Sequence, residues 1–272
     1  MLFGEGGAGA FSDGKLTTRI KDPRCGKVLE ELVLAGAPED TLYLAKPHIG
    51  TDMLVPLVKK LREKIISLGG EVRFNSTVTD LILENGAAKG VLVNGEFLPG
   101  KDIILAVGHS ARDIYSMLHE KGFAMEQKPF AAGVRIEHPQ EMINTVQYGG
   151  PKPYPADYSL TYTTGSGRGV FTFCMCPGGR VIPAVSEEGC LCVNGMSLSA
   201  RNGENANSAL LVQVRISDFG GSHPLAGVEL QRRMERAAFS AGGGGYRAPA
   251  QLISDFLAKR QSSGPGAVLP TY

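Results

Sequence analysis

The stretch Thr77-Val-Thr-Asp-Leu-Ile-Leu-Glu-Asn85-Gly86-Ala-Ala-Lys-Gly-Val-Leu-Val-Asn94-Gly95-Glu-Phe-Leu98 decides the fold class. Three β-prone runs, 77–83, 88–93 and 96–98, are separated by two Asn-Gly pairs. A two-residue hairpin turn needs φ > 0 at both of its residues, which asparagine and glycine tolerate best. The stretch therefore predicts a three-stranded antiparallel meander.

Working outward, Ile103-Ile104-Leu105-Ala106-Val107 is a continuous apolar run, the pattern of a strand buried on both faces. Gly108-His109-Ser110 turns the chain, and Ser110 with Asp113 has the spacing of a capping box that opens a helix to about residue 121. In the other direction, Thr51-Asp52 can cap a helix whose apolar positions Leu54, Leu57, Val58, Leu61, Ile65 and Leu68 recur at helical spacing. Pro56 is tolerable there only near the first turn, and Gly69-Gly70 stops the helix. A short strand is expected at 71–74, a helix at 27–34 and a loop at 4–16. Beyond residue 127 the texture is strand-rich, with candidates at 131–137, 158–163, 170–176, 181–185, 190–193 and 209–214. Gly165-Ser166-Gly167 is a plausible hairpin connection. Helices are expected at 224–239 and from Pro249 to 256, with a glycine joint at 241–245 between them.

Composition bounds the function. The 272 residues include 36 Gly and 16 Pro, spread along the chain, so this is a loop-rich globular protein rather than a low-complexity one. Hydrophobic residues at 43% are enough for a sizeable core. The 28 basic and 27 acidic residues nearly cancel, which argues against a dedicated nucleic-acid binder or a polybasic membrane tether. No apolar run approaches the length of a membrane span, the start lacks signal-peptide character, and five cysteines do not make a disulfide framework. The expected compartment is a reducing cytoplasm.

Several motifs fail on context. Gly4-x-Gly6-x-x-Gly9 has the letters of a dinucleotide fingerprint, but only three residues precede it and no helix-forming run follows. A glycine loop contacting phosphate or flavin in another way is the better reading. Gly9-x-x-x-x-Gly14-Lys15 lacks the Ser or Thr of a P-loop at position 16, which is leucine. Gly108-His109-Ser110-Ala111-Arg112 sits where a nucleophile elbow would, but Arg112 replaces its last glycine, so helix capping outweighs a nucleophilic role for Ser110.

Cys174-Met175-Cys176 and Cys190-Leu191-Cys192 place pairs of thiols two apart, on one face of a strand if the strand is regular. That is not structural-zinc spacing, and no metal site is expected. The turn Pro177-Gly178-Gly179 directly after the first pair makes it the better candidate for a redox site, although buried packing is the commoner fate of either sulfur alone. Asn194 and Arg201 bracket a polar loop, where Arg201 is the best-placed cation for an anionic substrate, although solvated loop arginines are common.

Six segments, in order, carry a resemblance: Phe3-Gly-Glu-Gly-Gly-Ala-Gly-Ala-Phe-Ser-Asp-Gly-Lys-Leu16, His48-Ile-Gly-Thr-Asp52, Gly69-Gly-Glu-Val-Arg-Phe74, Lys128-Pro-Phe-Ala-Ala-Gly-Val-Arg-Ile-Glu-His-Pro139, Thr172-Phe-Cys-Met-Cys-Pro-Gly-Gly179 and Val193-Asn-Gly-Met-Ser197. Together they resemble the bacterial NAD(FAD)-utilising dehydrogenases, a family that looks like a branch of the glutathione-reductase-like flavoproteins. The resemblance implies a partial Rossmann-like FAD-binding domain with the β-meander (1–126), an inserted mixed α+β substrate domain (127–260) and a truncated return segment (261–272).

The same resemblance implies FAD as cofactor, held by Gly6, Gly7, Gly9, Ser12, Gly14, Lys15, Val78 and Gly108, with Gly178 and Gly179 approaching the flavin. From the residues themselves, Cys174 and Cys176 are the catalytic candidates and Asn194 and Arg201 the substrate contacts; the resemblance adds a small-molecule substrate, hydride transfer, and NADH, NADPH or another donor as reductant. It places the family's strand–GxGxxG–helix unit before Met1 and a further glycine-rich unit after Tyr272. The chain is therefore expected to be an internal fragment, with FAD binding a property of the longer polypeptide. The readings from other classes are a serine hydrolase using Ser110 and a binding fold without catalysis.

Overall fold

The computed structural model describes all residues except 1–4, 6, 8, 19, 151–153, 265, 267, 269 and 272. The chain divides into two compact units. The first joins residues 1–64, 130–214 and 233–272, and the second joins 65–129 and 215–232. Both are discontinuous in sequence. The fold is mixed α/β, and every strand pairing among the described residues is antiparallel.

In the first unit, α1 (Arg24–Leu34) and the expected helix α2 (Thr51–Ser67) enclose one core. Ala35, Ala37, Ile49 and Leu57 are buried in it, with Leu54, Val58 and Leu61 packed alongside. This is the apolar stripe read from helical spacing, although its last members, Ile65 and Leu68, are exposed. Pro56 stands in the second turn without breaking the helix. The second core lies against a four-stranded sheet in the order β4 (Phe130–Pro139), β9 (Asn205–Val214), β6 (Gly169–Cys176), β5 (Thr161–Thr163). Ile143, Ala156, Met175 and Ala206 fill it. Ile143 comes from α4 (Gln140–Tyr148), a helix absent from the sequence expectation. A separate hairpin pairs β7 (Arg180–Ala184) with β8 (Cys192–Met196). Helix α5 (Ala226–Ala241) matches its expected position within two residues. The short α6 (Ile253–Leu257) begins four residues after Pro249, which is therefore not its first residue.

The second unit holds the meander β1 (Val78–Glu84), β2 (Ala87–Val93) and β3 (Glu96–Pro99). All four turn residues have φ > 0: Asn85 at 51°, Gly86 at 76°, Asn94 at 51° and Gly95 at 88°. Two other expectations fail here. Residues 71–74 form no strand, and neither does the apolar run 103–107. Far from being buried on both faces, Ile104 in that run is 91% exposed. A strand of this kind needs neighbours on either side, and none is provided among the described residues. Helix α3 (Arg112–Glu120) starts at an N-cap of Ala111 rather than Ser110, with no side-chain capping bond. No helix is long and apolar enough to cross a membrane among the described residues.

Candidate functional site

The site begins with an irregularity in a strand. Strands β6 and β9 align Phe173 with Ala209 but Cys176 with Asn207, so three steps on one strand match two on the other. This is a β-bulge, a device that bends a strand and re-aims its side chains. Cys174 sits within it at φ 48°, a left-handed conformation that costs a non-glycine residue roughly 1–2 kcal/mol. The bulge corrects the expectation that Cys174 and Cys176 share a face. Cys174 is exposed, whereas Cys176 is 0% exposed. The Cys176 Sγ–H donates to the Cys174 carbonyl at 3.2 Å. Burial, outweighing the nearby Arg135 charge, pushes the Cys176 thiol up to about 11. At neutral pH it is therefore a protonated, weakly nucleophilic group. Of the two sulfurs, only Cys174 meets solvent.

The turn Pro177-Gly178-Gly179 carries the chain from β6 into β7. Gly178 has φ 55°, and a Cβ there would fall inside the Arg201 carbonyl. A Cβ on Gly179 would stand 2.5 Å from the Met196 carbonyl oxygen. Both glycines are thus required by close approach of the chain's own 196–201 loop. The Gly178 N–H donates to Gln140 Oε1 at 2.8 Å, which fixes the turn to the start of α4.

That loop is in turn tied to the N-terminal segment. Asp13, 2% exposed, accepts a hydrogen bond from Arg201 Nε at 3.0 Å and others from the Arg201 Nη2 and the Ser197 hydroxyl. Lys15 Nζ lies 3.1 Å from Asp13 Oδ2 and also donates to the Met175 carbonyl inside the bulge. Burial alone would raise the Asp13 carboxyl. The Arg201 hydrogen bond, the Lys15 charge and the Ser197 hydroxyl outweigh it and hold the group below its ordinary value. The segment 47–52 closes the other side. Gly50 N–H donates to Asp13 O, Thr51 Oγ1 donates to Ser12 O at 2.8 Å, and Asp52 accepts from the Ser199 N–H at 2.7 Å and its hydroxyl at 2.6 Å. Gly14, at φ 66°, packs against Gly50 N and Leu54. The Ser12 hydroxyl accepts the Gly14 N–H at 3.0 Å.

Four segments far apart in sequence, 11–15, 47–52, 174–179 and 194–201, therefore meet in one unit. Of the expected site residues, Ser12, Gly14, Lys15, Cys174, Cys176, Gly178, Gly179, Asn194 and Arg201 are brought together there. Arg201 has its guanidinium on Asp13, and Asn194 donates to Phe11 O at 3.4 Å. Gly7, whose carbonyl accepts from Ala10 N–H, and the exposed Gly9 lie just before them. Gly6 lies outside the described residues.

Val78 and Gly108 belong to the second unit. Val78 pairs with Val93. Gly108, at φ 73°, has nothing within 4 Å of where a Cβ would stand, and its carbonyl accepts the Tyr115 hydroxyl at 2.7 Å. Ser110 Oγ lies 3.3 Å from His109 Nε2, but the strand that a nucleophile elbow requires before it is not formed.

Two residues at the bulge escape the sequence reading. Arg135 on β4 donates to the Cys174 carbonyl from both Nη1 and Nη2 at 3.4 Å, and from Nη1 to Asn207 Oδ1 at 2.5 Å. Asn207 is 0% exposed, and its Nδ2 has no partner. A charged residue in an alternating strand reads as solvent-facing, so no local signal marks Arg135.

Residues 129–272, more than half of the chain, match the family described as FAD-dependent protein, C-terminal domain-like. The chain belongs to this family. A Clostridium beijerinckii protein described as uncharacterized is 54% identical over 277 residues. The match takes in 100% of this chain and 52% of that relative, so the chain spans about half the length of the curated relative it matches. Membership of an FAD-dependent family makes the fit of the glycines to FAD a question of space. Gly14, Gly178 and Gly179 are filled by the chain's own atoms and serve packing, whereas Gly108 keeps an open face that a cofactor could approach.

Proposed function

We propose that the intact polypeptide to which this chain belongs is an FAD-dependent oxidoreductase acting on a small molecule, with NADH, NADPH or another donor as reductant. The observation that carries this reading is the convergence, in a chain of an FAD-dependent family, of four distant segments on a strand bulge that exposes one cysteine. Bulges recur next to active sites because they re-aim a side chain at the cost of local pairing. When bound, FAD would supply hydride transfer, with the protein contributing position and electrostatics.

In this reading the backbones at Gly7 and Gly9 contact the cofactor from the first unit. Asp13, Lys15 and Arg201 fix the loop that carries them in the first unit. Cys174 is the residue facing substrate, and the protonated Cys176 supports the bulge from beneath. Ser12, Gly14, Gly178 and Gly179 act through packing and hydrogen bonding.

The test is a visible spectrum of the purified intact polypeptide, followed by anaerobic addition of NADH or NADPH. A bound flavin spectrum that bleaches with a reduced nicotinamide, or with another donor, is the expected result. A colourless, flavin-free protein that takes up no added FAD overturns the reading.

A further inference from the structure

Arg135 is a half-buried cation without a counter-charge. Its acceptors are the Cys174 carbonyl and the Asn207 side-chain amide, both neutral, and no carboxylate among the described residues forms an ion pair with it. The nearby acidic groups are engaged elsewhere. Asp13 is shared by Lys15 and Arg201, and Glu137, two residues along β4, accepts from Asn205 and the Thr271 backbone and hydroxyl. Burial disfavours the charged guanidinium, but arginine does not deprotonate in proteins. A charge removed from water and left unpaired is costly unless something compensates it.

The fold makes room for this cation. Gly195 on β8 is buried, and a Cβ on it would collide with Arg135 Nη1 and Asn207 Oδ1. Three further features bear on the guanidinium. The exposed thiol of Cys174 belongs to the residue whose carbonyl Arg135 holds. The fully buried Asn207 carries an amide nitrogen without a partner. Of the five N–H donors on a guanidinium, the three hydrogen bonds leave at least two available for an oxyanion.

We propose that Arg135 is an anion anchor, holding the carboxylate or phosphate oxygens of a small ligand beside the Cys174 thiol. Guanidinium geometry suits a two-oxygen anion, which would supply the missing counter-charge. That this anion is a substrate rests on the oxidoreductase reading. That it binds does not, and the test uses no flavin.

The probes are iodoacetate, which carries a carboxylate next to its reactive carbon, and neutral iodoacetamide. Each alkylates a thiolate with loss of iodide, and modification of Cys174 is followed by peptide mass spectrometry on the whole chain. The ratio of the iodoacetate rate to the iodoacetamide rate at Cys174 is expected to fall roughly tenfold in Arg135→Gln, the worth of a charge-assisted hydrogen bond. Arg135→Lys retains part of the preference. Inorganic phosphate is expected to slow iodoacetate labelling of the unmodified chain more than sodium chloride of equal ionic strength does.

An unchanged ratio in Arg135→Gln overturns the proposal. If that variant does not fold, phosphate competition on the unmodified chain decides: no protection beyond that of chloride overturns the proposal, and selective protection against iodoacetate supports it. A colourless intact polypeptide would remove the flavin reading and leave these ratios unaffected.

Discussion

Asp13 is the residue on which the candidate site depends most. It is 2% exposed and lies between Lys15, Ser197 and Arg201, so it joins the N-terminal segment to the loop after β8. Asp13→Asn removes the carboxylate and leaves two cations facing a neutral amide. Breaking a buried pair in this way is expected to cost about 3–5 kcal/mol, measured as a fall in the urea midpoint. The sign of the pH dependence follows from the depressed Asp13 carboxyl. Its contribution is complete above the unfolded carboxylate value of about 4 and is lost as pH falls through the lower folded value. The stability gap between the unmodified chain and Asp13→Asn should therefore narrow on acidification below about pH 4 and stay constant from there to neutrality. Much of this neighbourhood was legible in the sequence as residue types, because Lys15, Cys174 and Arg201 stand in distinctive local motifs. The pairing was not. Nothing near Arg201 indicates that its partner lies 188 positions away, and nothing near Arg135 indicates that Gly195 makes space for it.

At the scale of elements, what could be read was what local chemistry decides. The meander follows from two Asn-Gly turns, and its two asparagines differ in a measurable way. Asn85 has only its left-handed backbone to offer, whereas the Asn94 side chain also accepts the Thr77 N–H at 3.0 Å and donates to the Asn75 carbonyl at 2.7 Å. Asn85→Ala should cost about 1 kcal/mol and Asn94→Ala about 2 kcal/mol in urea unfolding, the difference being two exposed hydrogen bonds. The run 103–107 shows the opposite case. Its composition specifies a buried strand, but burial depends on neighbours that sequence pattern does not reveal. Ile104, 91% exposed, is expected to tolerate Ile104→Lys with a stability change within about 0.5 kcal/mol, while binding of a hydrophobic dye to the chain falls. Helix α4 escaped notice because it follows directly on Pro139, the last residue of β4, and offers too few turns for its apolar period to register. The cysteine pair misled for a related reason. Two-residue periodicity holds only in a regular strand, and β6 carries a bulge at Cys174 in its pairing with β9.

For the whole molecule, the segment that matches the family and the unit that packs together are different things. The match covers residues 129–272, whereas the first compact unit also requires residues 1–64. Those residues provide Asp13 and Lys15 to the site, Ile49 and Leu57 to one core, and the Thr51 N–H and Asp52 carboxylate that hold Ser197 and Ser199. A chain cut to residues 129–272 would leave Arg201 without its carboxylate and Ser197 without its acceptor. It would also lose the Lys15 donation to the Met175 carbonyl and the Asp13 and Lys15 groups beside the buried Cys176. Losing the buried Asp13–Arg201 pair together with the Ile49 and Leu57 core costs several kcal/mol, comparable with the total stability of many domains. The 129–272 fragment is therefore expected to lack the cooperative urea transition of the 272-residue chain and to show rapid alkylation of Cys176, which is protected in the full chain. Adding a separate 1–64 peptide should restore part of that protection, because its contacts with the fragment are noncovalent. A fragment that unfolds cooperatively with Cys176 still protected would show that residues 129–272 carry their own core and that the N-terminal segment only decorates it.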